Sequence, residues 1–140
     1  MDGNESGLGS LLGYQLRRAQ LRAFQKFAQA TGGLGLTPML YGVLIVLDHR
    51  PGVTQTEVAG VLGADPSTMV RMVDQLEKRG WVRREHSALD RRSSLPILTD
   101  AGRSLVREVT PLVVESDQRI TTQLTPAERE TLLGLLQKLA

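Results

Sequence analysis

The sequence predicts a mainly α (α+β) fold, in which a helix-turn-helix is followed by a short β-hairpin and flanked by long helices. Three observations predict it. Apolar residues recur at helical spacing through most of the chain, with N-cap signals at Thr37, Thr54, Asp65, Thr99 and Thr125. Only Trp81–His86 and Ser94–Leu98 read as strands, and they are joined by a turn-like basic stretch. The two helices just before them are short and meet at a tight turn around Gly63.

Composition bounds the answer further. The chain has 140 residues, of which 41% are hydrophobic and 23% charged, as expected for one globular domain. The longest apolar run, Val43–Leu47, falls far short of the ~20 residues of a membrane-spanning helix. The opening MDGNESGLGS has no basic segment before an apolar one, so the expected compartment is the cytoplasm. With no cysteine, disulfides, thiolate catalysis and cysteine-based zinc fingers are excluded. The net charge of +2 is unevenly spread. Residues 71–92 hold seven of the 17 basic residues (Arg71, Lys78, Arg79, Arg83, Arg84, Arg91 and Arg92). Such a stretch suits a polyanion; charge alone leaves a plain solvated face equally open.

The elements follow in order. Leu12, Leu16, Ala19, Phe24, Phe27 and Ala28 form the apolar stripe of a first helix over 11–30, with Arg17, Arg18, Arg22 and Lys26 between them. The glycines of Thr31–Leu36 end it. Thr37-Pro38 is an N-cap followed by proline at the first helical position, and the helix after it is apolar nearly all round, which predicts the buried centre of the fold. Thr54 and Glu57 have the spacing of a capping box, opening a short helix that Gly63 ends. Asp65-Pro66 starts the next helix, which runs to Arg79 with Gly80 just past its end.

That helix divides cleanly. At about 100° per residue, Met69, Met72, Val73 and Leu76 form one stripe. Ser67, Val70, Arg71, Asp74 and Lys78 cluster opposite. A helix lying in a major groove needs small residues for close approach and arginine for guanine or phosphate. An amphipathic helix with an ordinary wet face has the same pattern. Asp74 is expected to pair with Lys78, four residues on, and with Arg71. After the hairpin, Thr99 caps a helix from Asp100 to about Thr122, which Pro111 is expected to kink near Arg107. A second capping box, Thr125 and Glu128, opens a terminal helix. Its Leu132, Leu133, Leu135, Leu136 and Leu139 predict burial against a second copy of the chain.

The run LTPMLYGVLIVL, followed by TQTEVAGVLGADPSTMVRMVDQLEKRGWVRREHSALDRRSSLPILTDAGRSL, closely resembles the multiple-antibiotic-resistance regulator (MarR) family of winged-helix transcription factors. The most specific pieces are Leu76–Gly80, Asp90-Arg91-Arg92 and Leu98–Gly102, in that order and spacing. The resemblance implies a single 1–140 domain with a winged helix-turn-helix core at 36–98 and N- and C-terminal dimerisation helices at 8–32 and 100–140. It also implies a homodimer on double-stranded, pseudo-palindromic DNA. Ser67, Thr68, Val70, Arg71 and Gln75 would then face the major groove. Thr37, Thr54, Gln55 and Thr56 would offer hydroxyls and backbone N–H groups to phosphates. Arg84 and Arg91 would add charge, and Arg92 would enter the minor groove, oriented by Asp90. Val70 stands where the family often has a small hydroxyl residue, and it suits a thymine methyl.

Other functions are less well supported. His49, at a helix end, and His86 are the sole histidines, and no pair has metal-ligand spacing, so neither catalysis nor a metal or cofactor is expected. A winged-helix module for protein partners, or a metal-responsive regulator, are the alternatives. The resemblance further implies a small aromatic or anionic effector. Tyr14, Arg18 and Tyr41 are its candidate contacts, although each tyrosine also reads as a packing residue. No membrane partner is expected.

Overall fold

The computed structural model describes residues 7–86, 89 and 94–140. A 3-10 turn at Leu8–Ser10 precedes six α-helices and two strands: α1 (Leu12–Ala30), α2 (Pro38–His49), α3 (Gln55–Leu62), α4 (Pro66–Lys78), β1 (Val82–His86), β2 (Ser94–Leu98), α5 (Asp100–Ile120) and α6 (Pro126–Leu139). The predicted caps form. The hydroxyls of Thr37, Thr54 and Thr125 accept from the amides three residues on, and both capping boxes are complete. At the end of α4, Trp81 N–H reaches Leu76 O (3.1 Å) and Gly80 N–H reaches Glu77 O (2.9 Å), a Schellman closure that uses the positive φ of Gly80.

The described chain divides into two compact units. The first is Gly33–Pro111. Its core is the predicted apolar helix α2, through Leu40, Val43, Leu44, Val46 and Leu47. Val58 and Ala59 of α3, the Met69–Val73–Leu76 stripe of α4, and Leu105, Val106 and Val109 of α5 complete it. β1 and β2 pair antiparallel with Val82 opposite Leu98 and Arg84 opposite Pro96. Pro96 is tolerated because, among the described residues, the sheet has only these two strands. Trp81, expected at the start of β1, lies just before it and links three elements. Its carbonyl accepts from Thr99 N–H at 3.1 Å, and Thr99 Oγ1 donates to Gly80 O and accepts from Gly102 N–H. A Cβ on Gly102 would lie 2.2 Å from Trp81 O, so no larger residue fits this crossing unshifted.

The second unit consists of the described residues through Gly32 together with Leu112–Ala140. α5 runs unbroken through Pro111 and contributes its two halves to different units. Within this second unit Asp117 pairs with Arg129 at 2.6 Å, and α6 has no buried residue.

Candidate nucleic-acid interface

The candidate interface is built on α3, the Gly63 turn and α4. Thr54 opens α3 but is consumed in doing so. Its N–H donates to Glu57 Oε2 (2.7 Å), its hydroxyl donates to the same carboxylate (3.1 Å), and that hydroxyl accepts from Glu57 N–H (3.2 Å). The Glu57 carboxyl is held below its ordinary value first by the Thr54 amide. Thr54 was expected to offer hydrogen bonds to phosphates, and its N–H and hydroxyl are both engaged in the box, beside half-buried Gln55 and exposed Thr56. The Thr37 hydroxyl, also expected there, accepts from Leu40 N–H at 3.1 Å and keeps its own proton to donate.

Asp65 does more than cap α4. Its carboxylate accepts from the Ser67 hydroxyl (2.6 Å), the Thr68 amide (2.8 Å) and the Thr68 hydroxyl (2.8 Å). These bonds, Ser67 foremost, hold the carboxyl far below the usual carboxylate range, with a smaller contribution from Arg71. Arg71 Nη2 donates to Thr68 Oγ1 at 3.3 Å. The first turn of α4 is therefore a chain from Arg71 through Thr68 to Asp65, with Ser67 joining from the other side. Ser67, Val70, Arg71 and Gln75 are exposed and Thr68 is half-buried. The opposite stripe, Met69, Val73 and Leu76, is fully covered. The two faces expected from the 100° spacing are thus both present.

Two expectations need correction. Asp74 is paired, but with Arg84 of β1 instead of Lys78: Arg84 Nη2 meets Asp74 Oδ1 at 2.8 Å, and Nη1 meets Glu77 Oε1 at 3.1 Å. Arg84 is correspondingly not free on the polyanion face, where it was expected; its side chain is only 23% exposed. Strand parity is the physical reason. Val82 faces the core, so Arg84, two residues on, points the same way, toward α4, while Arg83 and Glu85 face outward and pair with each other. That signal was available in the sequence.

Arg79 was not foreseen as a functional residue. Its guanidinium donates to Leu34 O (2.8 Å) and Gly35 O (3.2 Å) and stacks 5.1 Å from the Trp81 ring centroid. It anchors the segment before α2 to the end of α4, and no local pattern announces a partner so distant in sequence. Asp90, Arg91 and Arg92 lie outside the described residues. His49 hydrogen-bonds Ile45 O at 3.0 Å, closing its own helix. Among the described residues no group of three or more His, Asp or Glu could hold a metal ion. Of the candidate effector contacts, Arg18 lies over the Tyr14 ring at 5.8 Å in one unit, and Tyr41 OH bonds Thr110 Oγ1 at 3.0 Å in the other.

Comparison with known proteins places this geometry. Residues 34–93 match the MarR family model. A putative transcriptional regulatory protein for the hcr operon of Thauera aromatica is 40% identical over 129 residues, covering 91% of this chain and 78% of the relative. The transcriptional repressor CouR, solved bound to a 23-mer DNA duplex, has a TM-score of 0.90 at 40% identity, covering 99% of this chain and 97% of that one. The same repressor bound to p-coumaroyl-CoA has a TM-score of 0.87 at 38% identity, covering 99% and 95%. Proteins of this kind regulate transcription and are not enzymes. With its helix-turn-helix, its antiparallel strand pair and this identity over nearly its whole length, the chain belongs to the MarR family of transcriptional regulators.

Proposed function

We propose that the chain works as a homodimer that binds pseudo-palindromic double-stranded DNA in the cytoplasm and represses transcription until a small effector releases it. The observation that carries this reading is α4, with one face sealed in the core and the other presenting Ser67, Val70, Arg71 and Gln75 to solvent. A helix in the major groove needs that division. Ser67 and Thr68 allow close approach, Val70 suits a thymine methyl, and Arg71 suits guanine or phosphate. Thr37, Gln55 and Thr56 take the backbone. Arg91 and Arg92, with Asp90 orienting the latter, serve the wing on the strength of the family motif. The DNA-bound relative supports the target, and 36–98 is the DNA-binding core.

The dimer rests on apolar surface. Leu132, Leu133, Leu135, Leu136 and Leu139 of α6 and Leu11, Leu12 and Leu16 near the start of α1 are all exposed in the single chain. A groove of about 620 Å³ lined by Leu16, Ile120, Leu132, Leu133 and Leu136 runs through the same unit. Segments 8–32 and 100–140 supply the arms, with residues 100–111 of the latter also packed in the Gly33–Pro111 unit. The effector is a small aromatic or anionic molecule, a class that includes the relative's p-coumaroyl-CoA, with Tyr14, Arg18 and Tyr41 as candidate contacts. Fluorescence anisotropy tests the reading: a duplex selected by the protein from a random pool should bind far more tightly than a shuffled one across a salt series. Equal binding of both at every salt concentration would refute sequence-specific recognition.

A further inference from the structure

Asp74 lies at the middle of the outward face of α4 and Glu77 at its edge. In the proposed reading of α4 these carboxylates face a duplex whose backbone is a dense array of negative charge. An unpaired carboxylate there opposes binding. Both are answered by one side chain from another element. Arg84 extends from β1, on the core-facing side of the strand, and its two terminal nitrogens hold Asp74 (2.8 Å) and Glu77 (3.1 Å) separately. Arg84 is the least exposed member of the trio, its side chain at 23% against 49% and 44%, and both ends of its fork are occupied by the carboxylates. Its five donors in a rigid fork suit two acceptors one helical turn apart, which lysine would serve poorly.

We propose that Arg84 is a positioning residue for DNA recognition, neutralising and pinning Asp74 and Glu77 so that the middle of α4 can approach the duplex, without itself contacting DNA. This rests on the reading of α4 as the recognition helix. It replaces the expectation that Arg84 adds free positive charge to the DNA-binding surface. Three groups of net charge −1 become −2 when Arg84 is removed, and the two freed carboxylates repel the phosphate backbone.

The test is a double-mutant cycle on operator affinity, read by anisotropy on the duplex selected from a random pool by the parent protein. Arg84→Gln in the parent background should weaken binding by about tenfold or more, because like charges are brought face to face. The same change in an Asp74→Asn, Glu77→Gln background should cost less than about threefold, because there is nothing left to neutralise. An equal loss in both backgrounds would mean Arg84 touches DNA directly and would overturn the proposal. Thermal melting checks that each variant folds. If Arg84→Gln alone does not, the carboxylate-free pair decides by itself: matching affinities support the proposal, and a tenfold loss overturns it. If the parent selects no duplex from the pool, the recognition-helix reading fails first, and this proposal falls with it.

Discussion

Asp65 receives three hydrogen bonds from two neighbouring residues, and its consequences separate stability from recognition. Its folded carboxyl titrates well below the unfolded value near 3.9. Its stabilising effect is therefore complete above about pH 4 and is lost as pH falls through the lower folded value. Asp65→Ala should lower the urea midpoint by a constant amount at neutral pH, and the gap to the parent should close only in acid. A gap that closes between about pH 5 and 8 would mean another group is responsible. Arg71 is tied to this network by one long bond to Thr68 and can leave it at small cost. Arg71→Ala should cost about 1–3 kcal/mol per half-site and relax preference at one base position if it reads a base, while lowering the salt slope by about one counterion. A uniform loss across sequences would assign Arg71 to phosphate instead. The sequence revealed Asp65 as a cap because the amide it accepts from, Thr68, is three residues away. It mispaired Asp74 because the true partner, Arg84, lies ten residues on, across a helix end and a strand start.

Elements were easier to read than partners. Thr37, Thr54, Asp65 and Thr125 each cap with the amide three residues downstream, so four helix starts are set by contacts that a linear scan sees. The close approach of α5 to the turn before β1 is non-local, and Gly102 appears in the sequence only as part of a family motif. The structure supplies its reason, the 2.2 Å separation a Cβ would have from Trp81 O. Because the obstructing atom is backbone, relief requires moving α5 or β1. Gly102→Ala should destabilise the Gly33–Pro111 unit by about 1–3 kcal/mol, the range for overpacking, as measured by chemical denaturation. Unchanged stability would show that this crossing yields easily.

At the scale of the molecule, the leucines of α6 are the main unsettled surface: none is buried in the single chain. Replacing Leu132 and Leu136 with Asp would place charges in the proposed dimer contact, each costing several kcal/mol if desolvated. Light scattering after size exclusion should then show monomer or aggregate, and a well-folded dimer in the double variant would move the interface elsewhere. The need for a partner was legible from leucine content; Pro111 marked the place where α5 passes from one unit to the other, but local reading gave only a kink near Arg107, and the sharing of the helix follows from packing at a distance. The chain also contains a single indole, Trp81, half-buried under Arg79 where α4 hands over to β1. Its intrinsic emission is thus an unlabelled optical probe of the Gly33–Pro111 unit, blind to the arms, whereas far-ultraviolet circular dichroism sums helices from both. The offset between the two melting curves measures how far the unfolding of one unit compels that of the other, and coincident curves would mean that the two units melt in a single cooperative step.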